Sequence, residues 1–146
     1  MANSTSTQLL VDGPRNVVVK FEGVLDTSDL SSTTVLDPAT LSAVGANGEK
    51  ATRLGIEKIT FNIEDTLGVN LFWDASTPVR IESLVGRGKM THYKFGGLKT
   101  SAGTWNSDGS FTPAAGFTGK ITATTQGWAA SAVLSFSLVI ECVKQY

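Results

Sequence analysis

The chain has 146 residues and a formal net charge of -1, with 12 Lys and Arg residues against 13 Asp and Glu residues. This near balance excludes a generic nucleic-acid binder, which is strongly basic, and the 41% of apolar residues excludes a disordered chain. The length is that of one ordinary domain, and a composition rich in Thr, Val and Gly argues against a helical bundle.

The first third of the sequence combines a polar start with one clear strand. Residues 1–10 are mostly small and polar, lack the pattern of a secretory leader, and predict a flexible N-terminal arm. Residues 17–25 alternate between apolar and polar side chains and predict the first strand. The Ser-, Thr- and Asp-rich residues 26–37 predict a loop, and Pro38 suits the first position of a short helical turn.

Period-two alternation continues through the middle of the chain. Residues 58–64 and 67–73 predict two strands that form a hairpin or meet at a tight corner. Residues 79–85 predict another strand, which the glycines and basic residues of 86–89 end. Alternation in this strand places four residues on one face, namely Val79, Ile81, Ser83 and Val85.

The last third contains a polar insert and the longest strand. The glycine- and serine-rich insert near residues 99–115 carries Asp108-Gly109, a signal for the tip of a hairpin. A further strand begins at residues 117–123, and a turn leads to the final strand at residues 133–143. One face of this final strand is apolar, with Leu134, Phe136, Leu138, Ile140 and Cys142. Such a strand suits the centre of a sheet, or an edge that a neighbouring subunit covers.

These patterns predict an all-β fold, with residues 11–146 as a single domain. They contain six to eight strands and almost no helical periodicity. The natural packing is an antiparallel β-sandwich or a β-barrel-like roll of jelly-roll type, and the alternation is compatible with both.

Residues that usually carry chemistry are scarce. The chain has one His and one Cys, so it has no cluster with zinc spacing, and its carboxylates match no calcium-binding loop. His92 is the only imidazole, and no serine lies in a Gly-x-Ser-x-Gly motif. We therefore expect no catalytic residue, no metal site and no cofactor, so the chain is not expected to be an enzyme. Cys142 is expected to be a buried small hydrophobe in a protein made in a reducing cytoplasm.

Two groups of residues are candidates for binding a partner. The chain has one concentration of positive charge, with Arg87, Lys89, His92, Lys94 and Lys99. Because the net charge is -1, this group fits an acidic protein surface better than a nucleic acid. Trp105 lies in the polar insert and either folds back or contacts a partner. Trp128 follows a turn glycine and is either a corner plug or an interface anchor.

Several stretches of the sequence resemble a family of small structural proteins of tailed bacteriophages. They are LVDGPRNVVVK at 10–20, GVLDTSD at 23–29, LFWDA at 71–75, GRG at 86–88, FGGL at 95–98, TTQGWAA at 124–130 and LVIECVKQ at 138–145. The resemblance covers most of the chain except residues 30–50 and the polar insert. It implies a protein of the virion that is made in the host cytoplasm, and it brings no catalytic residue with it.

The resemblance is compatible with two positions in the virion. A capsid decoration or cement protein would bind the lattice of the major capsid protein, which fits the small size and the polar Ser-, Thr- and Gly-rich composition. A tail, neck or fibre-associated component would instead form rings or attach to a tube. A carbohydrate- or host-surface-binding module is a further alternative, because an exposed Trp105 would stack on sugars. We expect a homotrimer, with a homodimer as runner-up, and neither a specific nucleic acid nor a membrane as partner.

Overall fold

The computed structural model describes residues 3–93 and 97–146 of the chain. Within these ranges the protein is almost entirely β-structure, with eleven strands and a 3₁₀ turn at Pro38–Thr40. The turn begins at the proline that predicted it, and the side chain of Asp37 caps it by accepting a hydrogen bond from the amide of Ala39. No helix in the described ranges is long and apolar enough to cross a membrane.

A five-stranded antiparallel sheet forms one layer of the molecule. In spatial order, its strands are β1 (Ser4–Asp12), β2 (Asn16–Leu25), β11 (Leu134–Gln145), β4 (Arg53–Ile63) and β7 (Arg87–Thr91). The last strand in the sequence is therefore the middle of this sheet, with β2 paired along one side of it and β4 along the other. Of the two predicted positions for this strand, the central one is confirmed. Neither of its edges is free for a neighbouring subunit.

A four-stranded antiparallel sheet forms the second layer. In spatial order, its strands are β3 (Thr33–Leu36), β10 (Ile121–Gln126), β5 (Gly68–Trp73) and β6 (Val79–Val85). A separate hairpin of β8 (Gly103–Trp105) and β9 (Phe111–Pro113) has its tip at Asp108-Gly109, as the sequence predicted. The polar insert near 99–115 is therefore partly regular structure.

The two sheets enclose one hydrophobic core. Alternate residues of the long strands point inward, and the largest fully buried side chains include Trp73, Phe21, Leu25, Ile59, Leu71, Ile121 and Leu138. This arrangement confirms the predicted all-β fold and its sandwich alternative. Among the described residues the sheets do not close into a barrel, because each of them ends in two edge strands.

The chain changes layers at a corner between β4 and β5. The sequence predicted either a hairpin or a tight corner here, and the two strands belong to different sheets. Thr66 has a positive φ of 72° in this turn, and the amide of Leu67 donates a hydrogen bond to the carbonyl of Glu64. The corner is what brings the two sheets face to face.

One predicted strand face is wrong in its second half. The alternation placed Val85 on the same face as Val79, yet Val85 is 66% exposed and Leu84 is buried. The cause is an irregularity in the pairing of β6 with β5, where Glu82 lies opposite Leu71 but Arg80 lies opposite Phe72. The unpaired residue between them reverses the sides on which later side chains point.

The predicted N-terminal arm is corrected by the structure. Residues 1–10 were expected to be flexible, whereas β1 pairs with β2 from Ser4 opposite Val24 to Asp12 opposite Val17. Backbone pairing tolerates small polar side chains, and threonine favours strands, so polarity alone was a poor sign of flexibility. The expected loop at 26–37 likewise contains the short strand β3. These short and polar strands raise the number above the predicted six to eight.

Candidate functional site: the outer face of the five-stranded sheet

Polar side chains form rows across the outer face of the five-stranded sheet. The longest row crosses all five strands through directly opposed residues, namely Ser6, Glu22, Ser137, Asn62 and Arg87. A second row runs beside it through Gln8, Lys20, Val139, Thr60 and Lys89, and the apolar Val139 interrupts its polar side chains. Because side chains alternate between the faces of a strand, these rows are the solvent side of the strands that build the core.

A shallow groove of about 860 Å³ lies along the longest row. Its polar lining combines serine hydroxyls with the carboxylates of Glu22, Glu64 and Asp65 and the guanidinium of Arg87. Glu64 is held in place by Ser135, whose hydroxyl donates to its carboxylate at 2.9 Å. The groove therefore offers fixed hydrogen-bond acceptors and donors on a rigid floor, which suits an extended polar segment of a partner.

Arg87 and Lys89 project from β7 on this outer face. Both are exposed, and in the described part of the chain neither forms an ion pair, whereas Lys20 lies 3.7 Å from Glu22 and Lys58 lies 3.8 Å from Glu141. Cations without an internal counterion keep their full charge for a partner. The structure thus brings together two of the residues that the sequence singled out, at one edge of the face.

The rest of the predicted basic group continues from the end of β7. His92 is half-buried, and its backbone amide donates to the carbonyl of Glu57 at 2.7 Å. Tyr93, next to it, donates its hydroxyl to Glu141 at 3.2 Å. Partial desolvation and the neighbouring carboxylates raise the pKa of Tyr93. Lys94 lies outside the described residues.

Trp105 folds back onto the chain. Its indole Nε1 donates to the carbonyl of Thr100 at 2.9 Å, and its ring packs on Phe111 with a centroid distance of 4.9 Å. Cations lie over the same ring, with Lys99 Nζ at 4.6 Å and the Arg53 guanidinium at 5.2 Å from the centroid. The sequence predicted that Trp105 either folds back or contacts a partner, and the structure shows that it folds back. Its ring already contacts other side chains of the chain.

Trp128 is a corner plug. Its Nε1 donates to the carbonyl of Ala132 at 3.1 Å, and its backbone amide donates to Asp29 at 3.1 Å. The side chain is half-buried and packs against the core. It closes the end of the sandwich where β11 begins, whereas Trp105 contacts Arg53 at the end where β11 finishes opposite β4. β11 has 12 residues and is roughly 40 Å long at about 3.3 Å per residue, so the two tryptophans lie towards opposite ends of the sandwich and belong to no common site.

Side chains of β5 and β6 in the four-stranded sheet bond to one another. The guanidinium of Arg80 donates to the hydroxyl of Ser83 at 3.0 Å and lies 5.7 Å from the ring centroid of Phe72. The hydroxyl of Ser83 in turn donates to Asn70 at 2.6 Å, and Asn70 is buried. This network satisfies the polar groups of Arg80, Ser83 and Asn70 within the chain.

The groove could not be predicted from the sequence, because the sequence does not show which strands are neighbours in the sheet. Ser6, Glu22, Ser137 and Asn62 were visible only as polar positions of separate strands, and their alignment depends on the order β1-β2-β11-β4-β7. Among the described residues, no three His, Cys, Asp or Glu side chains cluster in a way that would hold a metal ion.

The chain was compared with protein-family models, curated proteins and solved structures, and no relative was found. No family model matches the chain, and neither a curated protein nor a solved structure matches it.

Proposed function

We propose that this chain is a non-enzymatic structural protein of a bacteriophage virion, a capsid decoration or cement protein. It binds the lattice of the major capsid protein on the capsid surface and stabilises it. The resemblance of residues 10–29 and 124–145 to small virion proteins supports the proposal. The observation that carries it is the outer face of the five-stranded sheet, with its groove and with Arg87 and Lys89, which form no ion pair within residues 3–93 and 97–146.

The size of this face fits the proposed role. Five strands about 4.8 Å apart span roughly 20 Å, and the longer strands are paired over roughly 30 Å, whereas β7 is shorter. The face therefore measures at most about 600 Å², which is of the same order as the ~800 Å² per partner that a standard protein interface buries. Because the backbone of the face is fixed by pairing, little conformational entropy is lost when a partner binds.

The charges of the face indicate the kind of surface it binds. Arg87 and Lys89 lie at the β7 edge, so an acidic patch on the capsid protein would neutralise them. The carboxylates of Glu22 and Glu64 in the groove would accept hydrogen bonds from the amides or hydroxyls of a bound segment. The arrangement combines electrostatic attraction at the rim with hydrogen bonds in the middle.

A second virion position, as a tail, neck or fibre-associated component, would use the same face. Copy number separates the two, because a shell protein follows the stoichiometry of the capsid lattice and a ring component is present in few copies. Quantitative mass spectrometry of purified virions, with density on the outer shell, supports decoration. A few copies located at the tail would overturn it. The carbohydrate-binding alternative is less favoured, because the ring of Trp105 is half-buried and already contacts Lys99 and Arg53.

A charge-reversal variant tests the contact itself. We expect the double substitution Arg87→Glu and Lys89→Glu to weaken binding to assembled capsids by about tenfold, or 1.4 kcal/mol, and to reduce the salt dependence of binding. Lys120→Glu is the matched control, because Lys120 precedes β10 in the opposite sheet. Equal binding by the double variant and the control would contradict the proposed face.

A further inference from the structure

The sandwich has four edge strands, and three of them carry features that block pairing with another chain. β7 has five residues and includes Arg87 and Lys89, and β6 includes Arg80 and Glu82. β3 has only four residues and is followed closely by Pro38. Charges, shortness and proline are the usual protections of an edge.

The fourth edge, β1, is long and has neither charges nor proline before Asp12, and its pairing with β2 is regular from Ser4 to Leu9, with one register shift between Leu9 and Val11. Its nine residues run STSTQLLVD, and all of them from Ser4 to Val11 are uncharged and exposed. Leu9, Leu10 and Val11 are each 45% exposed or more. In the described part of the chain only one side of β1 is paired, with β2. On its other side, alternate residues direct their amides and carbonyls outward, in regular strand geometry from Ser4 to Leu9.

β1 is also held firmly in position at both ends. Before it, the side chain of Asn3 accepts hydrogen bonds from the amides of Asp26 and Thr27 at 2.8 and 3.0 Å. At its far end, Asp12 forms an ion pair with Lys144 at 2.6 Å. A strand fixed in this way pairs with another chain at little cost in conformational entropy. It is a preformed template for a second strand.

We propose that β1 pairs with β1 of a second copy of this chain, in antiparallel orientation across a twofold axis at Thr7. The two five-stranded sheets would then form one continuous ten-stranded sheet. The second copy is the partner because it presents an identical free edge of the same length, and the uncharged segment Ser4–Val11 brings no like charges into direct opposition.

The charges on β2 select this axis over its neighbours. With the axis at Thr7, Ser6 lies opposite Gln8 of the second copy, which extends the row from Glu22 to the Lys20 of that copy. These charges have opposite signs and lie roughly 14 Å apart, at three strand spacings. An axis at Ser6 would align the two Glu22 residues, and an axis at Gln8 would align the two Lys20 residues. The attraction is weak at this distance, but only the Thr7 axis gives it a favourable sign.

The first test is the mass of the protein in solution. Light scattering of the wild-type chain is expected to give twice 15.4 kDa. A mass of 15.4 kDa at the highest soluble concentration overturns the proposal. A mass of three chains overturns it as well, because a threefold ring requires β1 to pair with a different edge.

A cysteine at the axis tests the register. In Thr7→Cys the two sulfur-bearing residues face each other with Cα atoms about 4.5–5.5 Å apart, within the range of a disulfide, so oxidation should yield a covalent dimer. Gln8→Cys is the control, since its counterpart lies diagonally at about 7–8 Å. The native Cys142 is buried and gives no background. Equal crosslinking of the two variants would contradict an axis at Thr7.

A lysine at the axis tests the edge itself. Thr7→Lys places two ammonium groups opposite each other and is expected to leave a monomer, while Thr60→Lys, an exposed residue in the middle of the sheet, stays dimeric. Thr7 is exposed, so the folded monomer should keep its far-ultraviolet spectrum. A dimeric Thr7→Lys would overturn the proposal. Capsid binding by the monomeric variant is measured separately, so the pairing and the proposed virion role can fail independently.

Discussion

The Nζ of Lys144 lies 2.6 Å from Oδ1 of Asp12, although the two residues are 132 positions apart in the sequence. The side chain of Lys144 is completely buried, and its ammonium donates a second hydrogen bond to the carbonyl of Ala43 at 2.7 Å. The other oxygen of Asp12 accepts the amide of Ser42 at 2.7 Å. One ion pair therefore fastens the end of β1, the segment after the 3₁₀ turn and the end of the central strand β11.

Removing one member of this pair should be strongly destabilising. We expect Asp12→Ala to lower the free energy of unfolding by about 3–5 kcal/mol, because it leaves a buried ammonium without its counterion. Urea denaturation followed by tryptophan fluorescence measures the change. The control is Arg15→Ala, which removes an exposed contact to Glu57 at 3.8 Å and should cost less than about 1 kcal/mol. Similar losses of unfolding free energy in the two variants would show that the buried ion pair stabilises the protein no more than an exposed one.

The same pair makes stability depend on pH. Burial by itself would raise the pKa of Asp12, but the hydrogen bonds from Lys144 and from the amides of Ser42 and Ala43 outweigh burial, so the pKa lies below the ordinary 3.8. The stability that ionised Asp12 contributes is therefore complete above pH 3.8 and is lost as the pH falls towards its lower folded value. Unfolding midpoints should differ between wild type and Asp12→Asn by a constant amount above about pH 5, and by less as acid is added. A difference that grows in acid would contradict this sign.

The thiol of Cys142 should be unreactive in the folded protein. Burial raises the pKa of Cys142 well above its ordinary range, and the nearby carboxylates of Glu57 and Glu141 add to the effect. Because the thiolate is the reactive form, labelling with iodoacetamide should be undetectable under native conditions and complete in denaturant. The labelling rate should follow the population of unfolded chain. Rapid labelling at neutral pH without denaturant would show that the end of β11 opens independently of the rest.

Two glycines of similar backbone conformation should respond differently to alanine. Gly127 and Gly109 have φ angles of 95° and 88°, so a side chain costs about 1–2 kcal/mol of backbone strain at either position. At Gly127 the new methyl group would also collide with the carbonyl oxygen of Thr66, whereas at Gly109 no atom lies within 4 Å. We expect Gly127→Ala to lose a further 1–3 kcal/mol of unfolding free energy. Equal losses of unfolding free energy for the two variants would mean that the backbone at Thr66 moves aside at no measurable cost.

Much of the core followed from the sequence because period-two alternation records which side of a strand is buried. The inward face of β11, with Phe136, Leu138, Ile140 and Cys142, is buried as the alternation predicted. The alternation predicted the wrong face where a strand is irregular, as at Leu84 and Val85. One unpaired residue reverses the faces there, and nothing in the sequence signals it. The prediction also failed at Ser4–Val11, because an edge strand with no buried face shows no hydrophobic alternation.

The candidate site was harder to predict than the core. Arg87 and Lys89 were recognisable from local charge, and the structure keeps them together on one strand face. Trp105 and Trp128 were plausible contacts because exposed tryptophans are rare, yet both tryptophans satisfy their indole Nε1 within the chain. The groove depends on strand order, which is set by long-range pairing of β11 with β2 and β4 and has no local signal.

The central position of β11 has a consequence for how the protein is synthesised. Without β11, the pairs β1–β2 and β4–β7 share no hydrogen-bonded neighbour in this sheet. The ammonium of Lys144 and the thiol of Cys142 lie in the interior on this strand. A growing chain therefore cannot join the two halves of the sheet before β11 has been made, and we expect chains truncated before residue 134 not to form it.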